Sequence, residues 1–131
     1  MDLVSSPAAT ARVVIVDDDK YVRDVTEMIL SGAGHSVRAT SNGFEALRWL
    51  EEQPCDLLLL DLKMPEIDGL TLYREVLARW PKGGPRVLFV SGFSDASAYA
   101  GALKSIDAAV LMKPFTLDTL SAAVNRALAT V

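Results

Sequence analysis

The chain has 131 residues, the length of one domain. Half of its residues are apolar, 23% are charged and the net charge is −4, a balance that suits a globule with a sizeable core and excludes a disordered chain. No cluster of Lys and Arg offers a footprint for a nucleic-acid backbone, and no apolar run approaches the roughly 18–20 residues of a membrane span.

Residues 1–11 are rich in Ser and Ala and lack periodicity, so a flexible N-terminal tail is expected there, with one folded domain over 12–131. The tail is too weakly apolar for a signal peptide. The run Val13-Val14-Ile15-Val16 is apolar throughout, as in a strand buried on both faces. Three acids, Asp17, Asp18 and Asp19, follow it. Val22, Val25, Met28 and Ile29 then recur at helical spacing, and Ser31-Gly32-Ala33-Gly34 marks the helix end. Ser36 to Ala39 is a weaker strand candidate, opened by His35, which reads as a surface residue. A second helix is expected after Asn42-Gly43, with Phe44, Leu47 and Leu50 on one face and Pro54 past its end. Cys55, the only cysteine, cannot form an internal disulfide. It reads as a small core residue in a reducing compartment.

Leu57 to Leu60 is a second continuous apolar run, closed by Asp61. A third helix is expected from Leu70 to Trp80, before Pro81 and Gly83-Gly84-Pro85. Trp49 and Trp80, near helix ends, read as partly buried packing residues. Val87 to Val90 gives a fourth strand, followed by Ser91-Gly92, and Ala96 to Lys104 a fourth helix carrying Tyr99. Ala108 to Met112 is a weaker fifth strand, followed by Lys113-Pro114. The last helix begins near Thr116, a plausible N-cap, and carries Leu117, Leu120, Val124 and Leu128.

Strand and helix thus alternate five times. That pattern implies an α/β, doubly wound, five-stranded parallel sheet with helices on both faces. Ligands bind such sheets at the carboxyl ends of strands where the order reverses. With the order 2-1-3-4-5, strands one and three are neighbours, and Asp17, Asp18 and Asp61 converge. Converging carboxylates repel one another, and a hard divalent cation such as Mg²⁺ relieves the repulsion. The plainer alternative is that Asp17 to Asp19 cap the first helix, a role that suits Asp19 best. Ser91 and Lys113 end two further strands, where a hydroxyl and an ammonium suit a phosphoryl group.

Val-Asp-Asp-Asp at 16–19, Leu-Asp-Leu-Lys-Met-Pro-Glu-Ile-Asp-Gly at 60–69, Val-Ser-Gly at 90–92 and Lys-Pro-Phe at 113–115 resemble the receiver domain of two-component response regulators. The resemblance runs over about residues 12–129, in family order and spacing. It implies the flavodoxin-like form of the fold and a phosphoacceptor switch rather than an enzyme with a separate substrate. Asp61 would accept the phosphoryl group. Asp17, Asp18, Asp61 and the backbone carbonyl of Lys63 would hold Mg²⁺. Ser91 and Lys113 would each meet a phosphoryl oxygen, Lys113 through a cis bond to Pro114.

The donor would be a histidine kinase or a histidine phosphotransfer protein. A downstream protein would bind the fourth helix, fifth strand and fifth helix, with no direct nucleic-acid or membrane contact. Tyr99 lies on that output surface. A cytoplasmic monomer or weak dimer is implied. Two origins stay open, a standalone regulator and the receiver of a hybrid kinase, and the Met1 start with no output domain after the fifth helix favours the first.

The chain departs from the family pattern at Val110, where an aromatic ring is usual, and at Ile106, where glycine is usual. A valine cannot repeat the inward rotation of that ring. Lys63 and Phe93 flank the expected phosphoryl site and suggest slow self-dephosphorylation, since a charged lysine accepts no proton and Phe93 could shield the site. Two other readings compete. A haloacid-dehalogenase-like phosphatase would use Asp17 as nucleophile and leave Asp61 unexplained. A pseudo-receiver would never gain phosphate, and Val110 is the feature in its favour.

Overall fold

The computed structural model describes residues 10–129. Five strands, β1 (Arg12–Val16), β2 (Ser36–Thr40), β3 (Leu57–Asp61), β4 (Arg86–Ser91) and β5 (Ala109–Met112), form one parallel sheet in the order β2-β1-β3-β4-β5. Between and after them run α1 (Lys20–Gly32), α2 (Gly43–Glu52), α3 (Gly69–Arg79), α4 (Phe93–Ala98), α5 (Ala100–Ser105) and α6 (Leu117–Ala129). The doubly wound parallel sheet is the one the alternation predicts, and its strand order is the flavodoxin-like form that the resemblance implies. Most of the expected tail lies outside the described residues, of which Thr10 and Ala11 are the first.

Side chains alternate across the sheet, so each apolar strand feeds two cores. Val14, Val16, Leu58, Leu60 and Phe89 pack with Leu47, Leu50, Leu72, Val76 and Leu103 from α2, α3 and α5. Val13, Ile15, Leu57, Leu59 and Leu88 pack with Leu30 of α1 and with Leu120 and Val124 of α6. β1 and β3 pair in register from Val13↔Leu57 to Val16↔Leu60, which brings their carboxyl ends side by side.

Local chemistry sets the helix ends. Asp19 caps α1, its carboxylate accepting from the N–H groups of Tyr21 and Val22. Asn42 caps α2 in the same way. Thr116 and Thr119 exchange backbone-to-hydroxyl bonds across the start of α6. Gly34, at φ +101°, turns the chain after α1. Trp49 and Trp80 both lie half-buried against the core, and the Arg38 guanidinium stacks 3.9 Å above the Trp49 ring.

Two expectations need correction. His35 is not a surface residue: it is 7% exposed, and its Nδ1 accepts from the Ala11 N–H at 3.1 Å. The apolar setting that buries it comes from long-range packing rather than from its sequence neighbours. The fourth helix is not continuous. It starts earlier, at Phe93, and is interrupted at Tyr99, whose φ of −102° and ψ of 11° are not helical. At Ile106, where the family usually has glycine, φ is −101°, which any residue adopts. The left-handed residue is its neighbour Asp107, at φ +52°.

Cys55 is half-buried at the core edge. Its thiol donates to the Leu57 carbonyl, and burial, the largest influence, pushes its pKa up to about 11. It is an inert thiol at neutral pH.

Candidate functional site: an acidic crevice at the strand ends

Asp17 extends β1, Asp61 ends β3, Ser91 ends β4 and Lys113 follows β5, all at the carboxyl edge of the sheet. Three of the predicted acids converge. Asp17, Asp18 and Asp61 each offer a carboxylate oxygen, and these oxygens lie within 4.8 Å of one another. Asp17 and Asp61 are buried, at 2% and 4% exposure, whereas Asp18 is open to solvent.

Asp17 is anchored at each of its polar groups. Its N–H donates to the Thr40 carbonyl at 3.1 Å, and its own carbonyl accepts from Arg23 Nη1 at 2.8 Å. One carboxylate oxygen accepts from the Asp19 N–H at 2.9 Å, and the other meets Lys113 Nζ at 2.8 Å. The roles of Thr40 and Arg23 are invisible in the sequence, because no local pattern announces a contact to a distant backbone group.

Asp61 is less firmly held. Its Oδ1 stands 3.5 Å from Lys113 Nζ, and its carboxyl lies within hydrogen-bonding reach of Asp18. Burial, then the charge of Asp17, drives its pKa up to about 7, with Asp18 adding to the rise and Lys113 pulling against it. For Lys113, burial pulls the ammonium down. The hydrogen bond and charge of Asp17, supported by Asp61, outweigh burial and leave its pKa above the ordinary value. The Lys113–Pro114 bond is cis.

The loop after β3 is pressed onto Asp61. The Gly69 N–H donates to the Leu62 carbonyl at 2.7 Å, and a Cβ on Gly69 would collide with the backbone carbonyl oxygen of Asp61. Met64 and Ile67 plug this loop into the core. Asp18, Asp19, Asp61, Lys63, Met64, Pro65, Gly92, Asp95 and Lys113 line the crevice above the carboxylates.

Ser91 stands apart from this lining. Its hydroxyl is buried and donates to the Gly92 carbonyl at 3.2 Å. Phe93 is 76% exposed and is not among the residues that line the crevice. Val110 pairs with Phe89 across β4 and β5, and the Phe89 ring packs against Tyr73 with centroids 5.6 Å apart.

The donor set suits a hard cation. Magnesium takes oxygen ligands at about 2.0–2.1 Å, so opposite ligands sit about 4 Å apart, near the spacing of these carboxylates. A second positive charge is already in place as Lys113. The crevice can therefore bind a group bearing several negative oxygens beside a nucleophilic carboxylate. Asp17, with both oxygens engaged, is poorly placed to be that nucleophile, which disfavours the phosphatase reading.

Residues 13–125 match the family model described as the response regulator receiver domain. The chain is 37% identical to the DNA-binding transcriptional regulator NtrC of Escherichia coli over 114 residues, which are 87% of this chain and 24% of NtrC. It thus spans about a quarter of that relative's length. It is 35% identical to the response regulator receiver protein CpdR of Brucella abortus over 109 residues, 83% of this chain and 89% of that protein. A putative response regulator from Chloroflexus aurantiacus superposes with a TM-score of 0.83 at 32% identity, covering 93% of this chain and all of that one. Among the described residues, no helix is long and apolar enough to cross a membrane. Fold, strand-end acids and these similarities agree: the chain belongs to the response regulator receiver domain family.

Proposed function

We propose that Asp61 is the phosphoacceptor of this switch and takes its phosphoryl group from the phosphohistidine of a histidine kinase or phosphotransfer protein. An Asp61 oxygen attacks phosphorus in line with the leaving histidine nitrogen. The P–N bond breaks as an acyl P–O bond forms, and the imidazole departs with the electron pair and takes up a proton. The protein's task is to position the reactants and balance charge on the equatorial oxygens. The observation that carries this reading is the meeting of three carboxylates and one ammonium at the strand tips.

Asp17, Asp18, Asp61 and the backbone carbonyl of Lys63 would hold Mg²⁺. When bound, the ion supplies positive charge to the phosphoryl oxygens and offsets carboxylate repulsion. Lys113 pairs with a further phosphoryl oxygen by turning from Asp17. Ser91 turns its hydroxyl from the Gly92 carbonyl toward the phosphoryl group. Asp19 remains a helix cap. The domain expected over 12–131, of which 130–131 lie outside the described residues, acts in the cytoplasm, and its modified form binds a downstream protein through α4, α5, β5 and α6. Assistance to its own phosphoryl transfer and dephosphorylation is the extent of its catalysis.

Incubation with acetyl phosphate and Mg²⁺, followed by intact mass, tests the reading. A phosphate-sized gain that Asp61→Asn lacks supports it. No gain with any donor, or a label that persists in the variant, refutes it.

A further inference from the structure

The interruption at Tyr99 leaves α4 and α5 with six residues each, too short to persist without tertiary contacts. α4 contributes no buried residue and α5 contributes Leu103 alone. The segment from Phe93 to Ala102 is therefore weakly held by packing. At its break, Tyr99 lies half-buried against the core and its hydroxyl donates to Asp68 Oδ2 at 3.2 Å.

The partner is unusual in its own connections. The other oxygen of Asp68 accepts from the Thr71 N–H at 2.8 Å and caps α3. Asp68 is followed by Gly69, which is pressed onto the Asp61 backbone and bonded to Leu62. Asp68 thus joins a rigid base, β3 and the start of α3, to the break between two marginal helices. Lys63, Met64 and Pro65 of the intervening loop line the acid crevice, as does Asp95 of α4. A group bound in the crevice touches both sides of this connection.

We propose that the Tyr99–Asp68 hydrogen bond is a tie that holds α4–α5 in its resting position and is released when the crevice is loaded. A contact couples two regions when it is made in one state and not in the other. The tie deepens the proposed function and rests on Asp61 being the phosphoacceptor. It supplies a route from the site to the α4–α5 segment that does not pass through Val110.

Amide hydrogen exchange over residues 93–105, read on the whole chain before and after acetyl phosphate with Mg²⁺, tests it, with intact mass recording the phosphate in each sample. Tyr99→Phe keeps the ring and removes the hydroxyl. The unmodified variant should exchange about two- to tenfold faster than wild type in this segment, the worth of one side-chain hydrogen bond. Phosphorylation should accelerate the segment in wild type and add little in the variant.

Asp68→Ser, which keeps a cap for Thr71 but cannot reach Tyr99, should reproduce the effect. The double variant should go no further than either single one. The tie is overturned if unmodified Tyr99→Phe exchanges like wild type, if phosphorylation leaves the wild-type segment unchanged, or if it accelerates wild type and variant equally. A wild-type chain that gains no mass overturns the phosphoacceptor reading itself, a failure the mass record separates from the others.

Discussion

Lys113 Nζ sits 2.8 Å from Asp17 Oδ2 and 3.5 Å from Asp61 Oδ1, so the lysine is paired more closely with Asp17 and stands beside the second buried acid, Asp61. One ammonium thereby serves two buried carboxylates. Its removal leaves both without a counter-charge, which is the costly way to break a buried pair.

Lys113→Ala should therefore lower stability by about 1–3 kcal/mol at pH 8. Millimolar Mg²⁺ should restore part of that loss, since the cation replaces the missing charge among the same oxygens. Urea unfolding with and without Mg²⁺ measures both. Equal losses in the two conditions would show that Lys113 and the cation do not share the site.

Asp61 gives a signed pH dependence. Its folded pKa, near 7, lies above the ordinary value of 3.8. A raised carboxyl binds its proton more tightly when folded, so its contribution to stability is complete below the ordinary value and is lost as pH climbs through the folded one. Asp61→Asn should accordingly be more stable than wild type at pH 8, by on the order of 1–2 kcal/mol, with the difference shrinking by pH 5. Chemical denaturation across that range reads it. The same proton competes with the cation, so Mg²⁺ affinity should fall as pH drops below 7.

Gly69→Ala should be severe. The added methyl meets the carbonyl oxygen of Asp61, a backbone atom that cannot yield without moving Asp61 itself. A stability loss of about 2–4 kcal/mol is expected, with slower gain of phosphate mass from acetyl phosphate. Phosphorylation at the wild-type rate would mean that the loop adjusts without disturbing Asp61.

His35→Ala should remove the acceptor of the Ala11 N–H and part of the packing beside it. About 1–3 kcal/mol of stability should go, measured by urea unfolding, while the extent of Asp61 phosphorylation stays unchanged.

Lys63 lines the crevice and, being charged, offers no base to an attacking water. The acyl phosphate should persist for minutes or longer in Mg²⁺ buffer. Loss of the phosphate mass within seconds would refute this, and with Phe93 absent from the crevice lining, Lys63 is the main reason for persistence.

The sequence determined whatever depends on near neighbours. Unbroken apolar runs at Val13, Leu57 and Val87 marked strands buried on both faces. Asn42 and Asp19 marked helix starts by the reach of a short side chain to the next turn. The motifs around Asp17, Asp61, Ser91 and Lys113 pointed to one sheet edge, because parallel strands end together. Tertiary structure decided the rest. It chose Asp17 over Asp61 as the partner of Lys113, buried His35 against Ala11, and broke a helix at Tyr99 to meet an acid 31 positions away. Periodicity reports which face a residue takes within its own element. Which distant atom it meets depends on how the elements pack, and there a difference of less than 1 Å selects the partner.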